Sequence, residues 1–247
     1  MINATLEGQI GRITLNRPEA HNALTKSAMG EIQATLEGWA NSDIRAVVIT
    51  GEGRSFCAGA SLDELGDGDW DSNPLTPLCA TVEGFKAPVI AALNGGVFGG
   101  GVDLALACDF RIGVQGMKMF VPPAKLGIHY EPEGIERAVQ RLGAQMARRV
   151  FLLAEKFEAE ALLTHGFLDD LVAPDALEAR VKELAATIVN LAPMAVQGMK
   201  QTILETSQNR LDVTAAKARV RTCFASSDHA EGLAAMREKR PPNFTGS

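Results

Sequence analysis

Two short runs of the chain, Ala46 to Thr50 (AVVIT) and Pro88 to Leu93 (PVIAAL), are apolar almost from end to end. Runs of this length bounded by turn residues predict strands buried on both faces, as in a parallel sheet. Gln9 to Leu15 alternates imperfectly and stops at Arg17-Pro18, which predicts a strand closed by a breaker. Phe110 to Val114 predicts another strand. Between these runs the period changes. Thr25 is a good N-cap, and Met29, Ile32, Leu36 and Trp39 follow it at helical spacing. Gly101 to Cys108 reads as a second helix. Strands alternating with helices predict an α/β layered fold. From Pro132 onward the pattern is helical, with one stripe at Ile135, Val139 and Leu142 and another at Leu177, Val181, Leu184, Ile188 and Leu191. Only Leu168 to Val172 is strand-like there. A helical end on an α/β core is either a second domain or an oligomerisation element. No internal repeat or low-complexity linker divides the chain.

Composition narrows the classes. With 46% hydrophobic and 22% charged residues over 247 positions, the chain is globular and can bury a sizeable core without staples. A net charge of −6 argues against a nucleic-acid partner, while leaving room for a local basic pocket that holds an anionic small molecule. The four cysteines (Cys57, Cys79, Cys108, Cys223) form no C-x-x-C pair, and the four histidines no H-E-x-x-H motif. No metal site is expected, and the cysteines read as free thiols in a reducing compartment. Asp67, Asp69 and Asp71 resemble the start of a calcium loop. Leu78 stands where the bidentate glutamate belongs, so the stretch reads as a solvated acidic loop. The N-terminus lacks the basic and apolar regions of a signal peptide. The most apolar stretch, Ala87 to Cys108, is broken by Pro88, Asn94, glycines and Asp103, so no membrane span is expected. A cytoplasmic protein follows from these expectations.

Glycine makes up 24 of the 247 residues, and its placement carries chemistry. In Ser55-Phe56-Cys57-Ala58-Gly59-Ala60-Ser61-Leu62, and again in Asn94-Gly95-Gly96-Val97-Phe98-Gly99-Gly100-Gly101-Val102-Asp103-Leu104, a buried strand runs into glycine and then a helix. Glycine permits close backbone approach and positive φ. The first residues of a helix leave N–H groups unpaired at the positive end of its dipole. Two such N–H groups converging on one carbonyl oxygen form an oxyanion hole. Alternatively, the glycines only allow close packing of helix on strand. Neither turn is a P-loop or a G-x-G-x-x-G fingerprint, and no G-x-S-x-G elbow is present. A nucleotide triphosphatase, a Rossmann dehydrogenase and a serine hydrolase of the usual pattern are therefore not expected.

Taken in order, a longer set of motifs resembles one family. They are Leu15-Asn16-Arg17-Pro18 with Asn22-Ala23-Leu24, Phe56 to Leu62, Asn94-Gly95 with Gly99 to Leu104, and Cys108-Asp109. Next come Leu126-Gly127, Gly166 with Leu168 to Val172, Ala192-Pro193 and Lys200. Glu231-Gly232, Glu238-Lys239-Arg240 and Pro242-Asn243-Phe244 complete the set. The chain resembles the enoyl-CoA hydratase/isomerase, or crotonase, superfamily over almost its whole length. The resemblance implies an α/β fold: a spiral of ββα turns over residues 1–190, then a helical trimerisation region over residues 191–247, assembled as a homotrimer or a dimer of trimers. It implies an acyl-CoA thioester substrate and no cofactor beyond the coenzyme A that the substrate carries. The N–H groups of Ala60 and Gly100 are implied as the oxyanion hole, and Arg17, Ala58, Ser61, Leu62 and Gly99 as substrate-binding positions. Arg17 and Lys200 are candidates for the phosphates of coenzyme A.

The sequence departs from the family where hydration is concerned. The hydratases position water with two glutamates. Asp103 stands at the first place and Pro123 at the second, and proline neither donates nor accepts a proton. The segment Gly127-Ile128-His129-Tyr130-Glu131-Pro132-Glu133-Gly134 resembles that of methylmalonyl-CoA decarboxylases, although that branch has a histidine where this chain has Ala60. Asp103, Tyr130 and Glu131 are thus the candidate catalytic residues. Asp103 or Glu131 would move a proton while Tyr130 orients the acyl group. Glu133 reads as a helix-start acid, His129 as a packed or surface histidine, and residues 66–72 as a border of the site. The expected chemistry is isomerisation, hydration or decarboxylation of a CoA ester through a stabilised enolate. The alternative is a non-catalytic acyl-CoA-binding or assembly protein on the same fold.

Overall fold

The computed structural model describes residues 1–61 and 73–247. Leu62 and the acidic stretch with Asp67, Asp69 and Asp71 lie outside the described residues.

The long sheet is built from β1 (Ile2–Glu7), β2 (Ile10–Leu15), β3 (Ala46–Gly51), β5 (Val89–Leu93), β7 (Phe110–Val114) and β10 (Asp170–Val172), in that order across it. The β1–β2 pair is an antiparallel hairpin, and every other pair in the sheet is parallel. Both apolar runs are strands buried along their whole length, β3 and β5. β2 alternates, with Ile13 and Leu15 inward. β1 is almost wholly exposed and carries no apolar period, so the sequence pattern gave no sign of it. α1 (Lys26–Trp39) starts where expected: the Thr25 hydroxyl accepts the Ala28 N–H at 3.1 Å. It buries Met29, Ile32 and Leu36.

A second sheet of four short strands lies beside the first: β4 (Ser55–Cys57), β6 (Gly96–Phe98), β8 (Lys118–Phe120) and β9 (Lys156–Glu158). β4, β6 and β8 are parallel neighbours. Helices α2 (Leu75–Gly84) and α3 (Gly100–Ala107) pack on each other, α3 also against β4 and β6, and every residue of α3 is buried. This alternation of paired strands with helices is the α/β arrangement expected of a spiral of ββα turns.

The rest of the chain is helical. α4 (Pro132–Leu152) carries a break at Gly143, and α5 (Ala159–Thr164) and α6 (Leu177–Val189) complete the core. α7 (Pro193–Ser207), α8 (Val213–Phe224) and α9 (Ser227–Glu238) follow. Two details of the expected stripes need correction. Leu191 lies beyond the end of α6 and is exposed. On α4 the inward face is Gly134, Arg137 and Ala138, whereas Val139 is exposed. Charged partners across the interface select the face with Arg137 in place of the more apolar one. No helix among the described residues is long and apolar enough to cross a membrane.

Candidate active site

The two glycine turns follow strands that are direct neighbours. β4 pairs in parallel with β6, with Cys57 opposite Val97, so both turns leave the same end of the sheet side by side. Clefts at the carboxyl ends of parallel strands are where open α/β folds bind ligands.

Short contacts fix the first turn. Leu24 N–H donates to the Gly59 carbonyl and Ser61 N–H to the Leu24 carbonyl, each at 2.8 Å, while Gly59 N–H reaches Cys57 Sγ at 3.3 Å. Ala58 N–H donates to the His21 carbonyl at 2.9 Å. In the second turn, Gly99 N–H donates to the Phe120 carbonyl at 2.9 Å, and Gly100 opens α3. Gly59 has φ +92°, and a Cβ there would lie 2.8 Å from the Phe98 carbonyl oxygen and 2.9 Å from the Gly100 nitrogen. Only glycine allows that approach. A Cβ built on Gly100 would lie 3.5 Å from the Ala60 nitrogen, so the two N–H-bearing atoms are near neighbours. Among the described residues, neither the Ala60 nor the Gly100 N–H meets an acceptor. Two unpaired donors side by side, one at the positive end of a helix, can hold an oxygen on which charge develops.

The candidate side chains gather around this pair. Tyr130 Oη donates to the Gly99 carbonyl at 3.2 Å, and its ring packs on Phe151 with centroids 4.9 Å apart. Asp103, 3% exposed, stands in the first turn of α3. Its Oδ1 accepts from Arg137 Nη1. A Cβ on Gly134 would lie 2.9 Å from Asp103 Oδ2 and 2.5 Å from Tyr130 Cε1, so the carboxylate and the phenol ring flank this glycine. Glu131, at the N-cap of α4, accepts from Asn73 Nδ2 at 3.2 Å. Asn73 Oδ1 in turn accepts the Leu75 N–H, and Leu75 packs against Gly100. Ser61 is buried and Ala58 half-buried in the first turn.

Electrostatics follow from burial. Burial pushes the Asp103 carboxyl above its ordinary range, and the Arg137 guanidinium pulls against that rise. Burial, with the Asp103 charge added, pushes the Tyr130 phenol well above its usual value, so it keeps its proton and remains a donor. Burial likewise raises the Cys57 thiol to about 12.

Other candidates lie elsewhere. Arg17 sits on the loop after β2, its Nη1 donating to the Ala23 carbonyl at 3.2 Å and its Nε 3.9 Å from Glu19. Lys200 is bound to the Asp109 carboxylate at 2.7 Å and the Ala87 carbonyl at 3.0 Å, which ties α7 to the start of β5. Pro123 opens a 3-10 turn after β8 and presents no titratable group. His129 and Glu133 are exposed.

Sequence reasoning missed the buried charges behind Asp103. Arg137 Nη2 lies 3.5 Å from Glu83, Arg141 Nη2 lies 3.5 Å from the same carboxylate, and Gln208 Nε2 donates to it at 3.3 Å. A signal existed on α4, where Gly134, Arg137 and Arg141 share a face at helical spacing. It was hidden by the more apolar neighbouring stripe.

Similarity to known proteins runs the length of the chain. The profile of the enoyl-CoA hydratase/isomerase family matches residues 5–247. The 2,3-dehydroadipyl-CoA hydratase of Escherichia coli K12 is 32% identical, with 95% of this chain and 94% of that protein covered. The short-chain-enoyl-CoA hydratase of Clostridium acetobutylicum is also 32% identical, covering 95% and 93%. The crystal structure of an enoyl-CoA hydratase from Bacillus anthracis superposes with a TM-score of 0.91 at 28% identity, over 100% of this chain and 99% of that one.

Proposed function

The chain belongs to the enoyl-CoA hydratase/isomerase family and is an acyl-CoA-processing enzyme. From that premise we propose that Ala60 and Gly100 hold the thioester oxygen of an acyl-CoA and that Glu131 moves a proton on the acyl chain. One observation carries the reading: two neighbouring N–H groups, one opening a buried helix, have no acceptor among the described residues. Loss of an α proton converts the thioester carbonyl to an enolate oxygen. Preorganised donors on that oxygen contribute roughly 3–4 kcal/mol each in a dry site.

Proton movement needs one carboxylate with a free oxygen. Asp103 commits Oδ1 to a buried arginine, whereas Glu131 is half-buried and, among the described residues, is held by the Asn73 amide alone. In a 3-enoyl-CoA, Glu131 would take the proton from the α carbon and return it to the γ carbon, so the double bond moves into conjugation and no atom is gained. This isomerisation uses one base, which suits a site with Pro123 at the second glutamate position. Hydration is the second reading, favoured by the names of the relatives. In that case Asp103 would have to share the work despite its arginine. Arg17, Ala58, Ser61, Leu62 and Gly99 are assigned to substrate contact, with Arg17 facing a phosphate of coenzyme A.

The exposed apolar residues Met199, Ile203, Phe224 and Met236 on α7 to α9 support assembly through the C-terminal helices, as a trimer or a dimer of trimers. The four free cysteines, three of them buried, support a reducing cytoplasmic setting. The test is a panel of 2-enoyl-, 3-enoyl- and malonyl-type CoA esters, followed by the ultraviolet absorbance of the conjugated enoyl thioester for isomerisation and by mass spectrometry for hydration or decarboxylation. Conversion of 3-enoyl to 2-enoyl esters is expected. Exclusive hydration of the 2-enoyl ester selects the second reading, and no turnover of any ester sinks both.

A further inference from the structure

The Gly99 carbonyl and the Gly100 N–H belong to the same peptide group. Tyr130 Oη donates to that carbonyl at 3.2 Å, and the Val102 N–H donates to it as well, at 3.0 Å. At the other end of Gly99, its own N–H is tied to the Phe120 carbonyl. The peptide that presents one of the two oxyanion donors is therefore held on its carbonyl side by a phenol. A peptide whose oxygen accepts a hydrogen bond is polarised, and its N–H becomes a stronger donor, because hydrogen bonds in a chain reinforce one another.

From this arrangement we infer that Tyr130 is a positioning residue of the oxyanion hole, acting on the reaction through the Gly99–Gly100 peptide. This rests on the thioester reading of the same pocket and adds to it. It differs from the expectation that Tyr130 orients the acyl group directly.

Three independent features hold the phenol to this task. Phe151 packs on its ring. Gly134 leaves the space the ring occupies, since a Cβ there would lie 2.5 Å from Tyr130 Cε1. Burial, with the charge of Asp103 beside the ring added to it, keeps the phenol protonated, as it must be to donate to the carbonyl. An aromatic that merely filled space would be served equally well by phenylalanine, and among the described residues the hydroxyl has a single partner, the Gly99 carbonyl.

Tyr130 is the only tyrosine in the chain, which makes the test unusually clean. Protein grown on 3-fluorotyrosine changes this phenol alone, making it more acidic and a stronger donor. The probe is acetoacetyl-CoA, whose enolate has its own near-ultraviolet band, so the bound enolate fraction reports the strength of the hole without turnover. The expected order of enolate fraction is fluorinated protein, then native, then Tyr130→Phe. Losing a whole donor of such a hole costs a hundredfold or more, so weakening one donor should lower kcat by about three- to thirtyfold in Tyr130→Phe. The dissociation constant of saturated butyryl-CoA should change less than twofold. Gly134→Ala, which displaces the ring and keeps the hydroxyl, should shift the enolate fraction in the same direction as Tyr130→Phe. Equal enolate fractions in native, fluorinated and Tyr130→Phe proteins overturn the inference. A loss of butyryl-CoA affinity in step with the enolate band overturns it too, because that marks a general structural role. If native protein binds butyryl-CoA but yields no enolate, or binds neither ester, the thioester reading fails and this inference fails with it.

Discussion

Replacing Arg137 by methionine removes the cation that stands between two buried carboxylates, Asp103 at 3% and Glu83 at 6% exposure. Glu83 keeps Arg141 at 3.5 Å and Gln208 at 3.3 Å. Among the described residues no other cation touches Asp103, so the loss falls on that carboxylate. Breaking a buried ion pair by removing one partner costs about 3–5 kcal/mol, because the other charge is left uncompensated. In a chain of this size that corresponds to a fall in Tm of roughly 6–20 °C. The pH dependence gives the sharper signature. Burial already pushes Asp103 upward, and without Arg137 the hydrogen bond from the Cys79 thiol is left to oppose that rise. A carboxyl whose folded value exceeds its unfolded value is destabilising only where the unfolded chain is ionised. The deficit is absent below about pH 4, grows as pH rises, and is complete above the folded value. Denaturant unfolding of native and Arg137→Met protein at pH 4.5 and pH 8, at one protein concentration, measures it. The double variant Asp103→Asn, Arg137→Met should recover part of the loss. A deficit below about 1 kcal/mol at pH 8, or one that does not shrink toward pH 4.5, refutes the view that Arg137 neutralises Asp103.

Other outcomes follow from the same geometry. Glu131→Gln should lower turnover by about two to four orders of magnitude while changing stability by less than about 0.5 kcal/mol, as read by steady-state kinetics and melting; unchanged turnover removes Glu131 from the mechanism. Gly59→Ala forces a Cβ to within 2.9 Å of the Gly100 nitrogen at φ +92°, so it should cost about 1–3 kcal/mol and most of the activity together. Glu231 clamps the C-terminal tail through Arg240 at 2.6 Å and the Asn243 N–H at 2.7 Å, which holds its carboxyl down to about 2. A depressed carboxyl stabilises above its unfolded value and loses that contribution as pH falls through its folded one. The melting advantage of native protein over Glu231→Gln should therefore be full above about pH 5 and vanish toward pH 2; an advantage independent of pH contradicts it.

The sequence made some parts of this molecule legible and hid others, for physical reasons. β3 and β5 are apolar because both of their faces are covered, and that shows in any window. α1 announces itself through its cap and its stripe. β1 is an exposed edge with nothing to bury, so no hydrophobic period marks it. The glycine turns could be read as close approaches of backbone. Their convergence depends on β4 and β6 being neighbours, which is a property of sheet order and not of local pattern. The tie between Asp103 and Arg137 spans 34 residues of sequence and was invisible for the same reason. Asp103 was legible as a candidate, but the arginine that occupies one of its oxygens was not. Lys200 illustrates the opposite case. It was a candidate for phosphate, and the fold uses it to bind Asp109 and dock a helix.

The central claim is that the Ala60 and Gly100 N–H groups grip a thioester oxygen. The most direct measurement is the infrared difference spectrum of crotonyl-CoA labelled with carbon-13 at its thioester carbonyl, bound and free. Two donors at hydrogen-bond distance should move the carbonyl stretch of the bound ester to lower frequency, and Gly59→Ala, which pushes the two turns apart, should reduce that shift. A bound ester whose carbonyl absorbs at the frequency of the free ester in water, or higher, contradicts the account.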